Sequence, residues 1–181
     1  MFKGRKAIQI VDAAPPDTGD AGRLAIVKGS SFRNGTIEIE MAGEPMEGAG
    51  EGARGFVGIA FRVAPDARQF ECIYLRPTNG RADDQERRNH SVQYISPPDW
   101  PWFRLRKEFP SRYETYVDLE PAVWTRVKLD VRRDKLRLYV TGVEQPTLIV
   151  NDLKLGESAG ALALWVGPGT RAYFTGLRTG E

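Results

Sequence analysis

Thr125 to Val140 reads TRVKLDVRRDKLRLYV, and its period decides the fold. Val127, Leu129 and Val131 alternate with Arg126, Lys128 and Asp130. After a polar turn the pattern resumes at Leu136, Leu138 and Val140. Alternation at every second residue marks a strand with one face buried. The stretch is therefore a β-hairpin whose Val/Leu face packs on a core and whose charged face meets water. Outward from it, the chain breaks into short apolar runs separated by 19 Gly and 12 Pro, with no helical stripe of convincing length. Strand candidates follow one another at Lys6–Val11, Leu24–Val27, Thr36–Met41, Phe56–Val63, Gln69–Arg76 and Ser91–Ile95. They continue at Glu114–Val117, Val123–Val131, Leu136–Thr141, Thr147–Val150, Ala159–Val166 and Ala172–Leu177. Many short strands with turn signals between them describe an all-β sandwich or barrel.

The 181 residues suit one domain, residues 1–181, with no linker, repeat or low-complexity tract. With 26 basic and 24 acidic residues, the balance gives no electrostatic reason to expect nucleic acid as a partner. No apolar run is long enough to span a membrane as a helix. The N-terminus, MFKGRKAIQIVDAAPP, is basic but carries no apolar h-region, so it does not read as a signal peptide. A chain relieved of a leader would be secreted or periplasmic; otherwise the expected compartment is cytoplasmic. One Cys (Cys72) and one His (His90) cannot furnish a closed zinc site, so no metal and no cofactor are expected. Without a Gly-x-Ser-x-Gly elbow beside His90, serine-type hydrolysis is not expected either.

Chemistry-bearing residues cluster in three places. In GFVGIAFRVAPDARQFECIYLRP (Gly55–Pro77), Val57, Ile59, Phe61 and Val63 form an apolar face, and Gly58, Ala60 and Arg62 an opposite face small enough to floor a groove. Two registers are open for the returning strand. Either Arg62 stands opposite Glu71, or it stands opposite Phe70 and Glu71 turns to the apolar face. A stranded buried carboxylate costs on the order of several kcal/mol. An opposite-charge cross-strand pair instead contributes about 0.2–1 kcal/mol. The first register is therefore preferred, and it puts Arg62 and Glu71 together on the groove face with Gln93 in reach. A half-exposed structural ion pair is the plainer alternative. Glu38 and Glu40 share one face of a strand at a spacing of roughly 6.5–7 Å, which glycoside hydrolysis permits. Solvated alternating glutamates are the commoner explanation. The third place is the long segment 96–112, expected as an irregular loop, where Trp100, Trp102 and Phe103 offer flat faces for a sugar ring or else cap the sandwich.

The order RNGTIEIEM, GFVGIAFR, FECIYLRP, VWTRVKLDVRRDKLRLYVTG and GALALWVG…AYFTGLR resembles the concanavalin A-like lectin/glucanase superfamily. The resemblance covers about residues 32–178. Within that superfamily it is similar to the laminin-G-like domains and to the 3-keto-disaccharide hydrolase domain family, whose FR pair and following aromatic-Glu strand match Phe61-Arg62 and Phe70-Glu71. The resemblance implies a jelly-roll sandwich of two antiparallel sheets with ligands on a concave face. The three-acid glucanase strand is not matched, since the run ends after Glu38 and Glu40, and no Asp/Asn-rich metal loop is found. The expected partner is a carbohydrate or similar polar ligand, bound by Arg62, Glu71, Gln93, Trp100 and Trp102. The alternatives are a glycosidase-type hydrolase or lyase using Glu71, Glu38 or Glu40, and an adhesion or assembly module with no small ligand. Oligomeric state is not legible.

Overall fold

The computed structural model describes residues 1–16 and 22–181. Its strands form two antiparallel six-stranded sheets. In chain order the strands are β1 (Ile8–Asp12), β2 (Arg23–Ile26), β3 (Gly35–Pro45), β4 (Val57–Val63), β5 (Glu71–Leu75) and β6 (Val92–Ile95). They continue with β7 (Glu114–Thr115), β8 (Thr125–Arg132), β9 (Lys135–Val140), β10 (Leu148–Val150), β11 (Ala161–Val166) and β12 (Thr170–Gly180). The first sheet runs β1-β12-β3-β8-β9-β10 and the second β2-β11-β4-β5-β6-β7. Of the sandwich and the barrel that the alternation left open, this is the sandwich, in the jelly-roll form that the resemblance implied.

The β8–β9 hairpin keeps its expected buried face, with Val127 opposite Val140, Leu129 opposite Leu138 and Val131 opposite Leu136. All six side chains are buried. They meet Ile37, Ile39 and Met41 of β3, and Ile59, Ile73 and Leu164 of the second sheet, in one core. The far face of the first sheet is wet, which is why these strands alternate so clearly.

The second sheet behaves differently: every residue of β4, β5 and β6 is buried. Its inner face packs on the core, and its outer face lies under the connection between β6 and β7. There the expected irregular segment contains a seven-residue helix, α2 (Trp102–Glu108), anchored by Leu105. A shorter helix, α1 (Gln85–Asn89), precedes β6 and is capped by the Asp84 side chain accepting from the Arg87 amide. Both helices are too short to show an apolar stripe, so period alone does not reveal them. Among the described residues no helix is long and apolar enough to cross a membrane.

Candidate functional site

The β4–β5 pairing sets Phe61 opposite Glu71 and Ala60 opposite Cys72. The expected Arg62–Glu71 register is therefore corrected to the alternative one, and Glu71 lies on the inner face with Ile73 and Leu75. What the cost of an unpaired carboxylate did not foresee is that neighbours supply partners. Tyr94 donates its hydroxyl to Oε2, and the Leu155 amide donates to Oε1 at 2.8 Å. Burial pushes the Glu71 carboxyl up, opposed by those two hydrogen bonds and by Arg62.

Arg62 reaches the inner side as well, by a different route. Between Ala161 and Ala163 the β4–β11 register shifts by one residue, and Arg62 takes a left-handed φ of 53° within that bulge. Its guanidinium spans the end of the sandwich, donating to the carbonyls of Arg33 (2.7 Å), Arg133 (2.6 Å) and Gly156. Burial lowers its pKa and Glu71 opposes the shift, yet the two groups form no direct ion pair among the described residues. Arg62 and Glu71 are fully enclosed, at 1% and 0% exposure. The expectation that they floor an open groove is corrected: they close one end of the core.

Glu38 and Glu40 lie on the outer face of the first sheet. Arg178 bonds Glu38 at 2.9 Å, and Arg5 holds Glu40 through both carboxylate oxygens. Hydrogen bonds from these arginines hold both carboxyls below the usual range. Two ionised, arginine-bound carboxylates lack the proton that a general acid must give.

The second sheet's outer face carries a cleft of about 440 Å³, within the usual range of small-ligand sites. It is the face on which the sequence placed Gly58 and Ala60. Gly58 pairs with Tyr74 on one side and Trp165 on the other. With no side chain between them, those rings approach to 4.7 Å between centroids; a Cβ on Gly58 would meet the Tyr74 Cβ at 2.7 Å. Phe56, Trp102 and Phe103 extend the aromatic lining, and Arg54, Arg76, Arg87, Arg106 and His90 surround it.

Arg76 is buried beneath these rings. It donates to the Tyr74 hydroxyl at 2.7 Å and to the His90 carbonyl at 2.9 Å, with Gln93 Oε1 at 3.4 Å. Gln93, opposite Tyr74, donates its own amide to the Tyr94 and Tyr113 carbonyls. Gln93 thus belongs to the cleft side of the sheet, away from Arg62 and Glu71, and positions Arg76 from below. Trp102, the first residue of α2, lies between two cations, with Arg106 at 4.7 Å and Arg76 at 5.8 Å from its ring. Arg106 in turn grips Glu114 through two nitrogens, and His90 Nδ1 lies 2.9 Å from the same carboxylate. Burial lowers the His90 pKa; Glu114 opposes this, while Arg106 and Arg76 add to it. Arg54, which donates to the Glu51 and Ala53 carbonyls, is lowered by burial and then by Arg87 and Arg76, with Glu51 opposing the shift.

Of the expected ligand residues, Trp102 lines the cleft and Gln93 supports it. Trp100 does not line it: its ring packs against Arg104 at 3.9 Å and Lys154 at 4.6 Å, on the flank where Phe109 and Tyr113 also enclose the ammonium. Sequence reasoning missed Tyr74, Arg76, Arg54 and Arg87. The signal for Tyr74 and Arg76 was the parity of CIYLR once the register is corrected. Among the described residues no three His, Cys, Asp or Glu side chains gather as metal ligands would.

The chain has the concanavalin A-like jelly-roll fold. It is similar to the carbohydrate-binding module CBM66 from Bacillus subtilis, with a TM-score of 0.58 and 12% identity over 90% of this chain and 94% of the module. Congerin II liganded with lactose and MES matches at a TM-score of 0.53 and 12% identity, covering 87% of this chain and all of that one. A native glycosidic hydrolase matches at 0.50 and 14% identity, covering 87% of this chain and 75% of its own. No family model matches the chain, and no curated protein does. Identities this low speak to fold alone, and the finer resemblance to laminin-G-like or 3-keto-disaccharide hydrolase domains rests on its motifs.

Proposed function

We propose that this domain binds carbohydrate in the cleft on the outer face of its second sheet. The observation that carries the reading is an aromatic cleft in which Trp102 and the exposed Phe103 stand at the mouth, with the buried Tyr74 and Trp165 forming its floor over Gly58. Flat aromatic surface there is ringed by fixed hydrogen-bond donors. Sugar rings pack apolar C–H faces on such surfaces while their hydroxyls take polar partners. Fold neighbours that include a carbohydrate-binding module and a lactose-liganded lectin are in keeping with it. Binding is favoured over hydrolysis because glycosidases use a pair of carboxylates about the scissile bond. Among the described lining residues there is neither Asp nor Glu. Glu114, just behind, is a single carboxylate already held by Arg106.

A glycan array run beside a reducing-sugar release assay tests this. Binding without release is expected, and Trp102→Ala should weaken it by roughly tenfold or more, as loss of an aromatic platform does. Sugar release by the wild type, or full affinity in Trp102→Ala, would overturn the proposal.

A further inference from the structure

We propose that the open edge of the sandwich between β1 and β2 binds a single-chain fatty acid, with its tail between the two sheets and its carboxylate at Lys6. The site lies apart from the carbohydrate cleft and does not rest on that reading. β1 and β2 are edge strands of opposite sheets, paired with β12 and β11 alone. At the Ile8 end of β1 and the Ile26 end of β2, a hollow of about 340 Å³ enters between the sheets. Ile39 and Phe174 line it from the first sheet, and Val27 and Leu164 from the second. Ile39, Phe174 and Leu164 are core residues, at 2%, 2% and 4% exposure, so the hollow reaches the core itself.

The opening follows from a bulge. β12 pairs Thr175 with Glu40 and then Arg178 with Glu38, so it carries one residue more than β3 across that step. Gly176 takes a left-handed φ of 67° there, and Gly176 and Leu177 both line the hollow. Thr175 donates its hydroxyl to the Lys6 carbonyl at 2.9 Å, which fixes the Lys6 backbone at the rim and engages that donor.

The chemistry of the lining selects the occupant. Packed interiors leave few voids larger than a water molecule, and a hollow with apolar walls stays dry and takes up apolar molecules. A sugar would strand its hydroxyls there, because Thr175 and Lys6 supply the only polar side chains among the described lining residues. One cation at the mouth of a hydrocarbon-walled slot matches a molecule with one anionic end and a hydrocarbon body. Stacked sheets lie about 10 Å apart, so a body entering edge-on must be slender. A methylene is close to a water in size, and at a water's share of roughly 30 Å³ the hollow holds about ten of them.

Calorimetric titration with decanoate, butyrate and decyltrimethylammonium, each below its micellar concentration, tests the site. Decanoate should bind once per chain, about tenfold or more tightly than butyrate, which lacks the tail. It should bind about fivefold more tightly than decyltrimethylammonium, which meets Lys6 with like charge. Val27→Trp, filling the hollow from the second sheet, should cut decanoate affinity about tenfold or more. Lys6→Glu, at the exposed rim, should cut it about fivefold and decides the matter if the tryptophan variant does not fold. Decanoate that does not bind, that binds no better than the cationic chain, or that ignores these variants overturns the inference. Sedimentation of the same proteins reads a rival occupant: a monomer throughout is expected, and a wild-type dimer lost in either variant would assign the edge to a second copy of the chain and overturn it. Capture by phosphatidylglycerol vesicles that fails in Lys6→Glu would assign the edge to a membrane surface and overturn it as well.

Discussion

Glu71 carries a carboxylate in the interior because each of its oxygens has a donor. Removing that side chain strands the Tyr94 hydroxyl and the Leu155 amide at once, and takes away the charge that Arg62 faces through space. Breaking a buried charged network by deleting one member costs about 3–5 kcal/mol. Glu71→Ala should lose that much in a denaturant titration at neutral pH, while leaving sugar affinity in the surviving folded fraction unchanged. Glu38→Gln, on the wet outer face, should lose less than about 1 kcal/mol. Equal losses for the two, or a binding defect in folded Glu71→Ala, would show that Glu71 has been placed on the wrong side of the sheet. The opening hairpin was misread at this scale for a definite reason. Phe61, Arg62, Phe70 and Glu71 show only that charges interrupt a strand. The donors that make a buried Glu71 tolerable come from residues 23 and 84 positions away in sequence. The bulge that turns Arg62 inward depends on a register shift against β11, which local alternation does not encode.

Elements divide by how their two faces are used. In β8 and β9 one face is wet, so the period-2 pattern is complete and the buried face could be read from TRVKLDVRRDKLRLYV. Leu138 is central there, opposite Leu129 on one side and Leu148 on the other, and fully buried. Leu138→Ala should therefore destabilise by about 2–5 kcal/mol. A loss under about 0.5 kcal/mol on chemical denaturation would mean the face is not core. The β4, β5 and β6 strands lack a wet face, because α2 and the cleft cover the outer side. Their sequences read as nearly continuous apolar runs, and the two faces could not be told apart by polarity. Gly58, a residue without a side chain amid bulky neighbours, lies on the side of the sheet that carries the cleft, beneath Tyr74 and Trp165. The residues that fill that groove, Tyr74 and Trp165, resemble core residues in sequence and became visible only with the register.

At the scale of the whole molecule, the response to pH comes from two groups on opposite sides of the second sheet, His90 beside the cleft and Glu71 in the core. His90 is the only histidine in the chain, and its folded-state pKa is lowered below 6.5 by burial, with Arg106 and Arg76 adding to the shift. Its contribution to stability is then complete above about pH 6.5 and is lost as pH falls through the depressed value, because the unfolded chain takes the proton first. Glu71 acts with the opposite sign. Its pKa is raised above 4.5, so the folded chain takes that proton first, and the stabilisation it gives belongs to acid and is lost as pH rises through the raised value. The two groups thus act on the acid limb with opposite signs: on acidification below about pH 6.5 the His90 contribution to the melting temperature falls while the Glu71 contribution rises. Against wild type, His90→Gln should therefore lose less melting temperature on acidification, and Glu71→Gln should lose more. A melting curve series in which wild type and His90→Gln share one slope would separate the histidine from the acid limb and remove it from the electrostatics of the cleft.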